Sequence, residues 1–143
     1  MKLSTGKVAF PIEFDNGDKD VIYFNPADPN LMVKINEFDK RVLEQIKEID
    51  DIELSKEGKP IEESQIEAFD KIQNILKSEL DYVFGGTISD VVFKHCSPFA
   101  IVGGQYFIIQ FVEAITPEIE KHVKKANSAV EKKISRHIDK YRK

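Results

Sequence analysis

The sequence predicts an α+β fold that is predominantly α-helical, with an N-terminal β-hairpin packed on antiparallel amphipathic helices and a long C-terminal helix. Three observations support it. Two apolar runs flank an Asn-Gly turn, apolar residues then recur every three or four positions, and glycine pairs interrupt that pattern. With 143 residues and 41% hydrophobic composition, the chain suffices for one folded core.

The segment 7–24 predicts the hairpin. Residues 7–14 alternate imperfectly between apolar and polar side chains, and Asn16-Gly17 favours a tight turn before a second apolar run. Pro11 has no amide hydrogen to donate to a ladder, so we expect it at an edge or a bulge. An isolated hairpin is marginal in water and should pack on the helices.

A first amphipathic helix of about 22 residues is predicted after the hairpin. Asp28-Pro29 favours its start, because the carboxylate caps free amides and proline suits the first helical position. A loop at 54–60, rich in Gly and Pro, should follow it. Its apolar stripe comprises Leu31, Ile35, Phe38, Val42, Ile46 and Ile49.

A second helix is predicted from about Ile61 to Phe84, antiparallel to the first because the connecting loop is short. Gly85 suits the left-handed conformation that ends a helix. Thr87 and Asp90 resemble a capping box, so a further short helix should extend through about Lys94. The stripe of the second helix comprises Ile66, Phe69, Ile72, Leu76, Leu80 and Val83.

A last helix should begin between Pro98 and Gln105. Thr116-Pro117 is where it can kink or divide, because proline lacks an amide and crowds the preceding turn. A straight helix of about 30 residues would extend roughly 45 Å, beyond a small domain. Either it bends back at Pro117, or it packs on another chain. Its stripe comprises Ile108, Phe111, Ile115, Ile119, Val123, Ala126, Val130, Ile134, Ile138 and Tyr141.

The formal net charge of -4 is unevenly distributed along the chain. Residues 1–116 hold 12 basic against 21 acidic residues, a net -9, and residues 117–143 hold 9 against 4, a net +5. We expect a hairpin plus helical domain in 1–116, with 117–143 as its basic amphipathic helical extension. Such a split indicates an interaction tail, or a tail that meets an acidic neighbouring subunit.

Residues with catalytic or ligand chemistry form no recognisable site in the sequence. His95, His122 and His137 lack metal-ligand spacing, and His95-Cys96 supplies one pair where zinc needs about four ligands. The carboxylates around Gly17 do not follow the order of a calcium loop, and the glycine pairs lack a phosphate-loop lysine. We therefore expect no enzyme activity, no cofactor and no metal.

The expected location is the cytoplasm. A single cysteine excludes an intramolecular disulfide and suits a reducing compartment. The N-terminal residues lack the apolar core of a signal peptide, and no apolar run reaches the roughly 20 residues that span a bilayer.

Two segments carry a resemblance to a known family. Residues 80–87 read Leu-Asp-Tyr-Val-Phe-Gly-Gly-Thr, with Val-Phe at 92–93, and residues 111–119 read Phe-Val-Glu-Ala-Ile-Thr-Pro-Glu-Ile. The chain resembles the small tail assembly chaperones of long-tailed phages and prophages of Gram-positive bacteria, in layout over residues 7–120. In that family a helix ends in a similar Asp-x-x-Phe-Gly segment, and a short helix ending in Phe follows.

The resemblance implies a non-enzymatic protein of the bacterial host cytoplasm. It would bind the tape measure protein during tail morphogenesis and keep its apolar helices soluble, without a cofactor. The segment 95–100 is more apolar than the family pattern, and the basic part after His122 lies outside the resemblance. The expected partner-binding residues are three phenylalanines, each of which could instead fill the core, and four residues of the last helix: Phe84, Phe93, Phe99, Ile119, Val123, Val130 and Ile134.

Alternative functions remain open in the sequence. The protein could be a structural component of the phage tail or virion, or form a homo-oligomer through the C-terminal helix. A nucleic-acid-binding regulatory module would use the basic helix, although that helix has few aromatic residues for base stacking. Its basic residues include Lys121, Lys124, Lys125, Lys132, Lys133 and Arg136.

Overall fold

The computed structural model describes residues 1–52 and 62–141, with side chains of the last helix described through residue 136. It confirms an α+β, mostly helical fold. The predicted loop at 54–60 lies outside the described residues. In chain order the elements are β1 (Val8–Glu13), β2 (Lys19–Phe24), α1 (Pro29–Ile52), α2 (Glu63–Phe84), α3 (Ile88–Val92), β3 (Ile101–Val102), β4 (Gln105–Tyr106) and α4 (Phe107–Tyr141).

The N-terminal hairpin of β1 and β2 is confirmed, and its turn is closed by backbone hydrogen bonds. The Phe14 amide donates to the Asp18 carbonyl at 2.9 Å, and the Gly17 amide donates to the Phe14 carbonyl at 3.0 Å. Gly17 has a φ of 88°, the left-handed geometry that a three-residue loop requires. Pro11 lies opposite Val21 in a sheet of two strands, where every strand is an edge.

Helix α1 begins at Pro29, as predicted. The carboxylate of Asp28 accepts a hydrogen bond from the Asn30 amide at 2.9 Å and so satisfies one of the free donors at the helix start. Five of the six predicted stripe residues are buried, and Ile46 is partly buried against the same core. The amphipathic pattern therefore identified the inner face of this helix correctly.

Helices α1 and α2 pack antiparallel, also as predicted. At one end, Lys34 Nζ lies 4.6 Å from the ring centroid of Tyr82. At the other, Gln65 Nε2 donates to the Ile52 carbonyl at 2.9 Å. The prediction that Ile66 faces the core is wrong, because its side chain is 53% exposed. Ile66 points in the same direction around the helix axis as the buried Phe84, about five turns later, so it is exposed because the described residues do not cover the first turn of α2.

The glycine break between α2 and α3 is confirmed. Gly85 has a φ of 73° and caps α2 in the left-handed conformation. Helix α3 then begins at Ile88 and ends at Val92, with Phe93 as its C-cap, so it stops short of Lys94.

The predicted capping box of Thr87 and Asp90 is wrong. Thr87 makes no side-chain cap hydrogen bond. The amide of Ser89, one of the free donors in the first turn of α3, donates to the carboxylate of Asp81 at 2.7 Å. The end of α2 therefore supplies the cap of α3.

A second, smaller hairpin precedes α4 and was not predicted. Strands β3 and β4 pair around Gly103 and Gly104, which have φ angles of 60° and 81°. Positive φ at both central residues is the requirement of a type I′ turn. Helix α4 begins at Phe107, so the predicted start between Pro98 and Gln105 is wrong. The sequence did not predict the second hairpin because strands of two residues are too short to show an alternation of apolar and polar side chains.

Helix α4 is a single helix of 35 residues with Pro117 inside it. It neither divides nor bends back at Thr116-Pro117. The Thr116 hydroxyl donates to the Val112 carbonyl at 2.7 Å, one turn earlier. This bond adds to the turn before the proline, whereas the carbonyl that lacks an amide donor because of Pro117 is that of Glu113.

The core joins the hairpin to α2 and to the first half of α4 through contacts between aromatic rings, one stacked and three edge-to-face. The rings of Phe10 and Phe24 lie 4.4 Å apart, and Phe24 lies 4.8 Å from Phe84. Phe84 in turn lies 6.1 Å from Phe111, and His122 meets Phe10 at 5.2 Å. Helix α4 is thus anchored on the core for about four turns, across the expected boundary between residues 116 and 117.

Candidate functional site

The apolar stripe of α4 loses its cover beyond Ala126. Ile115 and Ile119 are buried, and Val123 and Ala126 are partly buried. Every residue from 127 to 136, here called the α4 extension, is exposed. The described part of the domain therefore leaves the distal stripe without a partner.

The α4 extension presents two apolar side chains on one face. Val130 and Ile134 are four positions apart, which places them on adjacent turns, and each is 54% exposed. The extension also holds three basic residues against one Glu, and Lys124 and Lys125 directly precede it. An amphipathic helix with an apolar stripe and basic flanks is suited to pairing with another helix.

The expected contact residues around the glycine break lie in or against the core. Phe84 and Phe99 are buried, and Phe99 lies 5.6 Å from the ring of Tyr106. Phe93 is partly buried and packs at 6.0 Å from Phe107. A partner would not reach Phe84 or Phe99 in this conformation, and their contact role stays a prediction.

The expected contact residues on α4 divide along the helix. Ile119 is fully buried and Val123 is partly buried, whereas Val130 and Ile134 are open to solvent. The structure thus brings together only the last two as a directly accessible pair. No partner is present to test the contact role of any of the four.

An ion cluster connects the first hairpin to the segment that follows α3. Lys94 Nζ lies 2.8 Å from Asp18 Oδ2 and 3.1 Å from Asp20 Oδ2, and His95 Nε2 lies 2.8 Å from Asp18 Oδ2. Hydrogen bonds from Lys94 and His95 lower the pKa of Asp18 from 3.8 to about 2. The partners are more than 70 positions apart in sequence, so no local pattern could identify the cluster.

Other reactive groups in the described part of the chain form no site with ligand chemistry. No group of three or more His, Cys, Asp or Glu residues there could hold a metal ion. Burial and the nearby Asp15 raise the pKa of the Cys96 thiol, which is the opposite of the shift that activates a nucleophilic cysteine. None of the described helices has an apolar stretch long enough to cross a lipid bilayer.

A shallow, open depression of about 510 Å³, here called the α2 groove, follows the outer face of α2, and all of its described lining residues belong to that helix. Three of its residues are acidic and one is basic, and Ile75 within it is 43% exposed. None of its described lining residues belongs to the predicted apolar stripe of α2. The described lining residues are Glu67, Asp70, Lys71, Asn74, Ile75, Ser78 and Glu79.

Glu79 is the unusual residue of this α2 groove. Its Oε2 atom is buried and has no hydrogen-bond partner among the described residues, while Oε1 lies 4.0 Å from Arg41 Nη1. Burial raises the pKa of Glu79, and the Arg41 charge only partly opposes this shift. The carboxylate therefore lacks a close cation.

Comparisons of the chain with protein-family models, characterised proteins and solved structures gave no match. A function must therefore be inferred from these surfaces and from the resemblance carried by residues 80–93 and 111–119.

Proposed function

We propose that this protein is a non-enzymatic tail assembly chaperone that binds the tape measure protein of a long-tailed phage or prophage in the cytoplasm of the bacterial host. The observation that carries the proposal is the uncovered apolar stripe of the α4 extension, with Val130 and Ile134 exposed on a continuous helix. An exposed stripe of this kind suits contact with an amphipathic helix of another protein. The resemblance at residues 80–93 and 111–119 supports this choice of partner.

The small size of the exposed stripe favours weak, reversible binding of several copies to one partner over tight binding of a single copy. Fully burying a Val or Ile side chain contributes about 1.5–3 kcal/mol, so two half-exposed side chains supply only a few kcal/mol together. A micromolar complex needs about 8 kcal/mol, so stable association would require several copies along one long partner. Reversible capture agrees with the role of a chaperone, which must release its partner during assembly.

Co-expression with the tape measure protein tests the proposal, with the soluble fraction of that protein as the readout. The wild type should raise the soluble fraction. A Val130→Glu/Ile134→Glu variant should not, because two charges interrupt the stripe. A Ser128→Glu/Ser135→Glu variant adds the same charges on the opposite face and should act like the wild type. A wild type that leaves the soluble fraction unchanged refutes the proposal.

Mass spectrometry of purified particles distinguishes a chaperone from a structural component. A chaperone should be depleted from finished particles, because its apolar stripe is needed only while the partner is unassembled. A stoichiometric amount in the particles would instead identify a component of the tail or virion.

The exposed basic residues of α4 give a second candidate, a nucleic-acid-binding module. Residues 123–136 contain no aromatic side chain for base stacking, which disfavours single-stranded ligands. Binding with a steep salt dependence that is lost in a Lys124→Glu/Lys125→Glu variant would support this candidate. The absence of such binding would leave the helix-binding role as the better explanation of the extension.

A further inference from the structure

We infer that the α4 extension of one copy docks in the acidic α2 groove of a second copy. This contact concerns the protein on its own and does not depend on the proposed tape measure partner. Docking covers the exposed apolar stripe of the extension, Val130 and Ile134, when no other helix is bound to it.

Opposite charges on the two surfaces support this docking. Glu67, Asp70 and Glu79 line the groove against the single Lys71, whereas the extension holds three basic residues against Glu131. The same difference in charge is found along the sequence, where residues 1–116 carry a net charge of -9 and residues 117–143 a net charge of +5. Complementary charge of this kind selects the partner and its orientation more than it adds affinity.

The two surfaces also match in length and in apolar content. The groove extends from Glu67 to Glu79, about 18 Å along the α2 axis, and the extension spans about 14 Å. Ile75 provides an exposed apolar surface for the extension to cover. Val130 and Ile134 are the apolar side chains that the extension can place against it.

Glu79 adds to the groove a carboxylate that has no close cation among the described residues. A buried carboxylate oxygen without a hydrogen-bond donor is unfavourable, and Arg41 is too distant at 4.0 Å to donate a good hydrogen bond. Lys133 is exposed at the flank of the extension stripe, about 80° around the helix axis from its centre, whereas Arg136 lies nearer the opposite face. From a second copy, Lys133 would place a cation beside the Glu79 carboxylate, whose side chain is 21% exposed although its Oε2 atom is buried.

The contact must be intermolecular and must join two different surfaces. Every residue of the extension is exposed, so it does not occupy the α2 groove of its own chain. Direct pairing of two extensions would bring two basic flanks together, which like-charge repulsion opposes. One extension and one groove per contact permit a reciprocal dimer or a larger closed assembly.

Sedimentation of the purified protein at increasing concentration tests the inference. We expect the molar mass to rise above the monomer value of 16.4 kDa at low salt, about 50 mM, and to fall back at about 500 mM, where exposed charges are screened. A molar mass that stays at the monomer value at every concentration and low salt would overturn the inference.

Charge-reversal variants then locate the contact. Lys133→Glu/Arg136→Glu alters the extension, and Glu67→Lys/Asp70→Lys alters the groove; each should weaken self-association at least about tenfold. An equimolar mixture should restore a one-to-one complex, because the intact extension of the groove variant fits the intact groove of the extension variant. Circular dichroism verifies that both variants are folded.

A matched control separates this contact from a general effect of charge. Glu37→Lys/Glu48→Lys reverses two exposed carboxylates on α1, outside the groove, and should self-associate like the wild type. Loss of association in this control, or a mixture of the two variants that stays monomeric, would reject docking of the extension in the α2 groove.

Discussion

Asp81, near the end of α2, binds Ser89 in the first turn of α3 with both carboxylate oxygens. Oδ1 accepts the Ser89 amide at 2.7 Å, and Oδ2 accepts the Ser89 hydroxyl at 2.8 Å. The carbonyl of the same aspartate accepts the amides of Gly85 and Gly86. One residue therefore closes α2 with its backbone and caps α3 with its side chain, which fixes the corner between the two helices.

Replacing Asp81 should destabilise the fold more than replacing the residue at the formal N-cap of α3. Asp81→Ala removes a charged cap and two hydrogen bonds, for an expected loss of about 1–3 kcal/mol. Thr87→Ala should change stability by less than about 0.5 kcal/mol, because Thr87 makes no cap hydrogen bond. Urea denaturation measures both values, and equal losses would contradict the assignment of the cap to Asp81.

The two glycines of the same corner should respond differently to substitution. A Cβ on Gly85 would meet no atom within 4 Å, so Gly85→Ala is penalised only by its left-handed φ of 73°. The expected loss is about 1–2 kcal/mol. Gly86 has equal space and no positive φ, so Gly86→Ala should be nearly neutral. A larger loss at Gly86 than at Gly85 in thermal denaturation would be inconsistent with this explanation.

Sequence periodicity predicted the first hairpin, α1, α2 and the inner face of α4, because each contains enough residues to display a repeating pattern. It failed where structure depends on pairs distant in sequence or on very short elements. The Asp81 cap serves an amide eight positions away, beyond the range of local capping rules. The second hairpin has strands of two residues, and its only sequence signal is the glycine pair Gly103-Gly104, which interrupts the apolar pattern.

The sequence predicted which residues form the apolar stripe of α4, but it did not predict which of them are exposed. The stripe that includes Val130 and Ile134 follows the same spacing as the buried residues Ile115 and Ile119. Periodicity specifies which side chains share a face, but it does not specify where the rest of the chain stops covering that face. Among the described residues, Ala126 is the last residue of the stripe that is partly buried. This limit depends on the dimensions of the packed domain, so only the structure could show it.

The Asp18 cluster should make stability depend on pH in the acid range. The pKa of Asp18 is lowered from 3.8 to about 2, first by Lys94 and then by His95. The ionised carboxylate therefore stabilises the fold fully above about pH 4, and this contribution is lost as the pH falls through about 2. Asp18→Asn should flatten acid denaturation monitored over that range.

The matched control for this pH dependence is Asp90→Asn, which removes the same charge from an exposed position on α3. It should leave the slope between pH 4 and pH 2 unchanged, because no cation contact of Asp90 is present among the described residues. Identical slopes for Asp18→Asn and the wild type would show that the cluster does not contribute in solution.

Pro117 should be a destabilising residue within α4. It lies in the helix interior, lacks the amide that would bond to the Glu113 carbonyl, and is exposed, so its ring contributes little packing. Pro117→Ala should increase the free energy of unfolding by about 1–3 kcal/mol. Glu120→Ala, at a nearby exposed position, should be nearly neutral. A decrease for Pro117→Ala would indicate that the proline sets a helix geometry on which the core depends.

Two isoleucines of one stripe should separate the stability of the domain from its capacity to bind. Ile119 is fully buried, so Ile119→Ala should reduce stability by about 2–5 kcal/mol through lost burial and a residual cavity. Ile134 is 54% exposed and lies outside the core, so Ile134→Ala should leave the denaturation midpoint almost unchanged. The same Ile134 variant should weaken both self-association and partner capture, because both use the uncovered stripe. A large loss of stability for Ile134→Ala would instead place the extension inside the cooperative fold and remove the basis for treating it as a free binding surface.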